Sequence, residues 1–212
     1  MESLTCTVVL RQMDEDQEIA SYGDLIGVDA GALFLAMRGY EMRLAIGDFD
    51  SISERDIPLI KMNTKEFIKL NTDKNISDFE AALQHLSEYE KIIVYGGLEG
   101  RQDHQYALLE RLKMDKRLRL VNETNLVYVL DEGIHRIKKE SYKYLSLFAL
   151  EPSLISIEGT KYPLHLKVLE QDVPSYTLSN EILKEEAILS IRSGKLIIIQ
   201  SSDKKSYARI AD

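Results

Sequence analysis

Two rhythms of apolar and polar positions divide the chain. Up to about residue 121, short apolar runs alternate with helical patterns. Thr5 to Leu10, Asp24 to Val28, Met42 to Ile46, Glu66 to Leu70 and Lys91 to Tyr95 have the length and composition of strands. Between them, Ala30, Leu33, Phe34 and Met37 fall at i, i+3, i+4 and i+7, one apolar face of a helix that Gly39 can end. Ser77 followed by Glu80 has capping-box spacing, and Phe79, Ala82, Leu83 and Leu86 give the helix it opens an apolar face. Leu108, Leu109 and Leu112 mark another helix, through about Lys113. Strand–helix alternation predicts an α/β domain, a parallel sheet with helices on both faces. Arg11 to Glu18, with four acidic residues and no period, reads as a mobile loop.

Past residue 122 the helical rhythm stops. Leu126 to Leu130, His135 to Ile137, Tyr144 to Leu150, Leu154 to Ile157, Leu164 to Val168, Ala187 to Ile191 and Leu196 to Ile199 are short runs. Turn residues such as Asp131-Glu132-Gly133, Glu158-Gly159 and Ser193-Gly194 separate them. This spacing predicts an all-β sandwich C-terminal domain. The expected division is 1–122 for the α/β domain and 123–212 for the β domain.

Composition narrows the function classes. Hydrophobic residues make up 44% of 212, enough for a sizeable core. A net charge of −8 argues against a general nucleic-acid partner, because no excess of Lys and Arg is available to neutralise phosphates. The single cysteine, Cys6, rules out a disulfide within the chain. The start lacks a signal-peptide pattern, and no apolar stretch reaches membrane-span length. The expectation is a cytoplasmic protein with no membrane partner.

The densest chemistry follows the third strand, at Gly47-Asp48-Phe49-Asp50-Ser51. In an extended backbone, residues two apart face the same side, so Asp48 and Asp50 can meet one point. Two such carboxylates repel, and Mg²⁺ relieves the repulsion, completing its shell with water and substrate phosphates. A solvated turn is the competing reading, since Asp and Gly are common in turns. Asp73 and Asp78 flank the capping serine and can project toward the same edge, although acidic residues also favour helix starts for dipole reasons. The Gly96-Gly97-Leu98-Glu99-Gly100-Arg101-Gln102-Asp103-His104 stretch joins a strand to a helix, a place where backbone N–H groups receive an anion. Neither a Walker loop nor Gly-x-Gly-x-x-Gly is present. Arg101 and His104 are phosphate ligands or surface residues, and Asp103 orients Arg101, contacts a ligand or caps the helix. In parallel sheets ligands gather at the carboxyl ends of strands, which is where Asp29, Asp48, Asp50 and the glycine turn fall.

In order along the chain, Val28-Asp29-Ala30-Gly31, Gly47 to Ser51, Ser77-Asp78-Phe79-Glu80-Ala81-Ala82-Leu83 and Gly96 to His104 resemble the motifs of the thiamine pyrophosphokinase family. So do Gly159-Thr160-Lys161-Tyr162-Pro163-Leu164 and Leu178-Ser179-Asn180-Glu181 in the second half. The resemblance implies a homodimer that transfers pyrophosphate from ATP to the thiamine hydroxyl, giving thiamine diphosphate and AMP, with Mg²⁺ as cofactor. It implies catalytic roles for Asp48, Asp50, Asp78 and Arg101, and a metal set of Asp48, Asp50, Asp73 and Asp78. ATP contacts are expected from Asp29, Gly31, Gly97, Gly100, Arg101, Asp103 and His104. Thiamine contacts are expected from Ser179, Asn180 and Tyr176, at a dimer interface.

The chain departs from the family pattern at Ala30 and Leu33, where Gly and Asn are common, and at Asn75, where many bacterial members carry Asp. It also has no Trp. Three rivals follow: a pyrophosphokinase for another heterocyclic alcohol, a non-catalytic nucleotide- or thiamine-binding protein, and a phosphate-ester hydrolase.

Overall fold

The computed structural model describes residues 4–11, 13, 18–73 and 75–203. In chain order the elements are β1 (Thr5–Val9), β2 (Asp24–Val28), α1 (Ala30–Met37), β3 (Met42–Gly47), α2 (Ile57–Met62), β4 (Thr64–Lys69), α3 (Asp78–Gln84), β5 (Lys91–Tyr95), α4 (Gln102–Met114) and β6 (Leu118–Val121). There follow β7 (Asn125–Leu130), β8 (Gly133–Lys138), β9 (Tyr144–Ala149), β10 (Ser153–Glu158), β11 (Leu164–Leu169), β12 (Glu186–Ser193) and β13 (Leu196–Ser201). All seven strands expected past residue 122 are present. Most of the stretch read as a mobile loop after β1 lies outside the described residues, but Arg11 does not.

Contacts divide the chain into two compact units, residues 1–105 with 117–119, and residues 106–116 with 120–212. In the first, strands run in the order β4-β3-β2-β1-β5, every pair parallel. β1, β2 and β5 each show one half-exposed residue followed by four buried ones, as expected of strands covered on both faces. Val8, Ile26, Leu44, Ile46 and Ile93 are fully buried there. Thr7 is buried too, and its hydroxyl is satisfied by the backbone of Tyr22, donating to the carbonyl at 3.2 Å and accepting from the amide at 2.9 Å. The order reverses at β1: β2, β3 and β4 build outward on one side, and β5 lies on the other. Such a switch point opens a crevice at the carboxyl ends of its two strands.

The second unit is an antiparallel β-sandwich. β13 pairs with β7 and β9, and a four-stranded sheet runs β11-β10-β12-β8. Burial alternates along β10 and β13, which gives each strand one core face. No helix among the described residues is long and apolar enough to cross a membrane.

Two elements escape the hydrophobic pattern. α2 is six residues with Pro58 in its first turn, too short to display a helical period. β6 is a four-residue strand directly after α4, where Arg117 and Arg119 interrupt the apolar run.

Helix α1 is set against the sheet through Gly31. A Cβ there would sit 2.0 Å from the Val9 carbonyl oxygen and 3.0 Å from the Arg11 amide nitrogen. Backbone cannot yield as a side-chain tip does. Gly31→Ala is expected to lower stability by about 2–3 kcal/mol, read as the shift of the urea midpoint at unchanged m-value. A midpoint equal to wild type would refute the packing role.

Candidate active site

The acidic edge is assembled by a backbone crossing. β3 ends at Gly47, and a Cβ on Gly47 would lie 2.9 Å from the Asp29 Cα. The missing side chain lets the chain leaving β2 pass directly over the end of β3. Asp29 donates its amide to the Ile46 carbonyl at 2.9 Å, and its φ of 46° is rare for a residue with a Cβ. Asp29 takes the N-cap position of α1 but makes no side-chain cap bond. Its Oδ2 accepts from the Ser51 hydroxyl at 3.4 Å, while its Oδ1 is buried without a hydrogen bond. Burial pushes the Asp29 carboxyl above its ordinary value, the Ala30 amide opposes this, and the charges of Asp78, Asp48 and Asp50 push it up further. Four carboxylates therefore share one electrostatic neighbourhood.

Asp48 and Asp50 converge by a route other than the expected extended one. Phe49 between them has φ 56°, and the Asp50 amide donates to Asp48 Oδ1 at 3.2 Å, an Asx-type turn. Phe49 is 4% exposed and stacks on Phe67, ring centroids 4.9 Å apart and planes 13° from parallel. Turning the phenylalanine inward leaves Asp48 half-exposed and Asp50 exposed. Asp78, the first residue of α3, accepts from the Asp48 amide at 3.2 Å. The capping box that starts α3 forms as its spacing predicts, with Ser77 accepting from the Glu80 amide and Glu80 from the Ser77 amide. Asp73 lies on the exposed turn before the cap, its amide donating to Asn71 Oδ1 at 3.1 Å.

The glycine turn follows β5. Gly97 is buried and Gly100 exposed. Arg101 and Asp103 form a two-pronged pair, Nε to Oδ1 at 3.1 Å and Nη2 to Oδ2 at 2.5 Å. That pairing holds the Asp103 carboxyl down at about 2, so it stays ionised at any ordinary pH. Asp103 Oδ1 also accepts from the His104 amide at 3.0 Å, and the His104 side chain is exposed. Of the roles weighed for Asp103, orienting Arg101 is the one these contacts carry.

In the second unit, the Asn180 side chain is hydrogen-bonded to backbone. Its Oδ1 accepts from the amides of Tyr162 and Glu181 at 3.0 and 2.9 Å, and its Nδ2 donates to the Tyr162 carbonyl at 2.9 Å. Ser179 is exposed with φ 58°, its amide donating to the buried Ser146 hydroxyl at 2.9 Å. Tyr176 is exposed, with Lys167 Nζ 5.0 Å from its ring centre. It lines a cavity of about 190 Å³ with Leu147, Ala149, Leu169 and Thr177.

Sequence reading missed Ser51, Phe67 and Arg11 as parts of the first-unit assembly. Arg11 donates from Nη1 to the Glu99 carbonyl at 2.6 Å. A partner 88 residues away leaves no local signal.

Carboxylate oxygens are the hard donors that Mg²⁺ selects, and Asp29 Oδ1 is buried with no hydrogen-bond partner to satisfy it. Among the described residues, no group of three or more His, Cys, Asp or Glu is placed to hold a metal by itself. Mg²⁺ does not require one, since one or two carboxylates with water and phosphate oxygens suffice. The donor set fits a hard cation that completes its shell with water and phosphate oxygens.

Comparison with known proteins identifies the family. The family model for the thiamin pyrophosphokinase catalytic domain matches residues 16–121, and that for the thiamin pyrophosphokinase vitamin B1 binding domain matches residues 134–197. The chain is 28% identical over 190 residues to the thiamine pyrophosphokinase of Bacillus subtilis (strain 168), covering 84% of this chain and 87% of that one. The crystal structure of a thiamin pyrophosphokinase family protein from Enterococcus faecalis superposes with a TM-score of 0.80 at 26% identity, covering 95% of this chain and all of the other. That of the Bacillus subtilis enzyme gives 0.82 at 24% identity, covering 94% and 100%. With both family models matched in order across most of its length, the chain belongs to the thiamin pyrophosphokinase family.

Proposed function

We propose that this protein is a thiamine pyrophosphokinase, transferring the β,γ-pyrophosphoryl group of ATP to the thiamine hydroxyl. The observation that carries this reading is the meeting of Asp29, Asp48, Asp50 and Asp78 at the carboxyl edge of the parallel sheet, in a chain of this family. The thiamine oxygen bonds to the β-phosphorus. The bond from that phosphorus to the α,β-bridging oxygen breaks, and AMP leaves with the oxygen. The hydroxyl proton passes late to a carboxylate of the acidic edge. Transition states of this kind are loose, so positioning and neutralisation outweigh base strength.

One or two of Asp48, Asp50, Asp73 and Asp78 would hold Mg²⁺ directly, with water and phosphate oxygens completing its shell, and Asp29 would add to the negative potential beside them. The cation supplies neutralisation of phosphate charge. The Gly97 and Gly100 backbone and the start of α4 receive the triphosphate. Arg101, oriented by Asp103, exchanges one carboxylate oxygen for a phosphate oxygen, and His104 adds a donor. Gly31 serves through packing, keeping α1 against β1. Ser179 and Tyr176 are the proposed thiamine contacts, framed by Asn180. The working form is proposed to be a cytoplasmic homodimer.

Asp48→Asn should reduce turnover at least about 100-fold while leaving the melting temperature within a degree or two. The assay is AMP release with thiamine as acceptor, compared with other heterocyclic alcohols and with no acceptor. Near-normal turnover of the variant at saturating Mg²⁺ would remove Asp48 from the metal set.

Asp29 gives a pH prediction of opposite sign for stability. Folding raises its pKa above the ordinary 3.8, so the ionised form opposes folding. That opposition is absent below the unfolded value and is complete once pH has risen through the folded one. Asp29→Asn should therefore raise the melting temperature at pH 8. The gain should shrink toward zero as pH falls below about 4, and turnover should fall. Scanning calorimetry from pH 4 to 8 tests it, and a variant less stable than wild type at pH 8 would sink the repulsion argument.

A further inference from the structure

β1 and β5 flank the point where the strand order reverses, and each delivers a segment to the crevice at its carboxyl end. β5 delivers the glycine turn. β1 delivers Arg11: pairing continues past the strands, with the Leu10 amide donating to the Tyr95 carbonyl at 3.1 Å. The side chain then runs along the turn. A Cβ on Gly96 would lie 2.7 Å from Arg11 Cγ. One on Gly100 would lie 1.7 Å from Nη1 and 2.6 Å from Cζ. Both glycines have positive φ, +77° and +81°. They satisfy two demands at once, a backbone shape that other residues resist and room for the arginine.

We infer that Arg11 is a positioning residue for the nucleotide triphosphate, wedged between Gly96 and Gly100 and fixing the turn through the Glu99 carbonyl. The inference takes its ligand from the phosphokinase reading above. A trans peptide is planar, with its C=O and N–H on opposite sides. Holding the Glu99 carbonyl on the guanidinium at 2.6 Å therefore aims the Gly100 N–H away from Arg11. A turn rich in glycine has little conformational preference of its own, and unbraced it would sample many orientations of its donors. Arg11 removes that freedom before the phosphates arrive, and it places a fixed positive charge behind the turn. Arg101 differs in kind, since it is exposed and paired with Asp103. A long apolar stem is needed to reach past Gly96, and a donor at its end is needed to hold the carbonyl.

The test compares wild type with Arg11→Met, which keeps the stem and loses the guanidinium, and Arg11→Lys, which keeps the charge. The first measurement is the Kd for a non-hydrolysable ATP analogue with Mg²⁺, by titration calorimetry. The second is a steady-state separation of kcat from the KM for ATP and for thiamine. Arg11→Met should raise the Kd and the KM for ATP about tenfold, leaving kcat and the KM for thiamine within twofold. Arg11→Lys should recover part of the affinity. An Arg11→Met variant that binds the analogue within twofold of wild type overturns the inference. So does one that loses kcat and melting temperature together at unchanged analogue affinity, which is a merely structural role. If Arg11→Met is insoluble, Arg11→Gln supplies the same comparison. Wild type that binds the analogue but leaves thiamine unmodified defeats the phosphokinase reading, and the Arg11 comparison still decides. Wild type that binds no analogue overturns both.

Discussion

Carboxylates repel, and the first unit is built to hold four of them together. The restraint comes from backbone hydrogen bonds and packing. Asp29 is pinned over Gly47 by a hydrogen bond from its amide to the Ile46 carbonyl, Phe49 is anchored inward, and Asp78 is fixed by a helix start whose cap is complete. None of these restraints involves the carboxylate oxygens that would meet a ligand, except where Asp48 and Asp78 each accept a backbone amide. The result is a negative surface kept close by the scaffold, with two backbone residues, Asp29 and Phe49, in a left-handed conformation that costs about 1–3 kcal/mol each. Such strain persists only where surrounding structure enforces it, and here the enforcing groups are identifiable.

The elements of this fold were largely legible because their signals are local. Capping-box spacing at Ser77 and Glu80 predicts a helix start, and the structure has both reciprocal bonds. Alternating runs past residue 122 predict strands, and seven are found. What stayed hidden depends on partners far along the chain. Nothing near Arg11 announces the Glu99 carbonyl, and nothing near Phe49 announces Phe67. The extended geometry expected of Asp48 and Asp50 gave way to a left-handed turn, because burying Phe49 outweighs the local preference of the backbone. α2 and β6 were missed for a simpler reason, being shorter than the periods used to find them.

The second unit separates two uses of polar side chains that look alike in sequence. Ser179 and Asn180 are neighbours within one motif, yet Asn180 spends its amide on the backbone of Tyr162 and Glu181. The segments carrying Tyr162 and Asn180, 18 residues apart, are thereby fastened together. Ser179 keeps its hydroxyl at the surface because Ser146 takes up its amide.

Phe67 lies on β4, the outermost strand of its sheet, opposite Ala45 in register and against the Phe49 ring. Outer strands are usually free to vary, since half their surface faces water. This one is not, because it seats the aromatic ring on which the spacing of two aspartates rests. Replacing either ring alone would leave the other without the surface it stacks on. A side chain outside the acidic edge thus helps to set the spacing of its carboxylates.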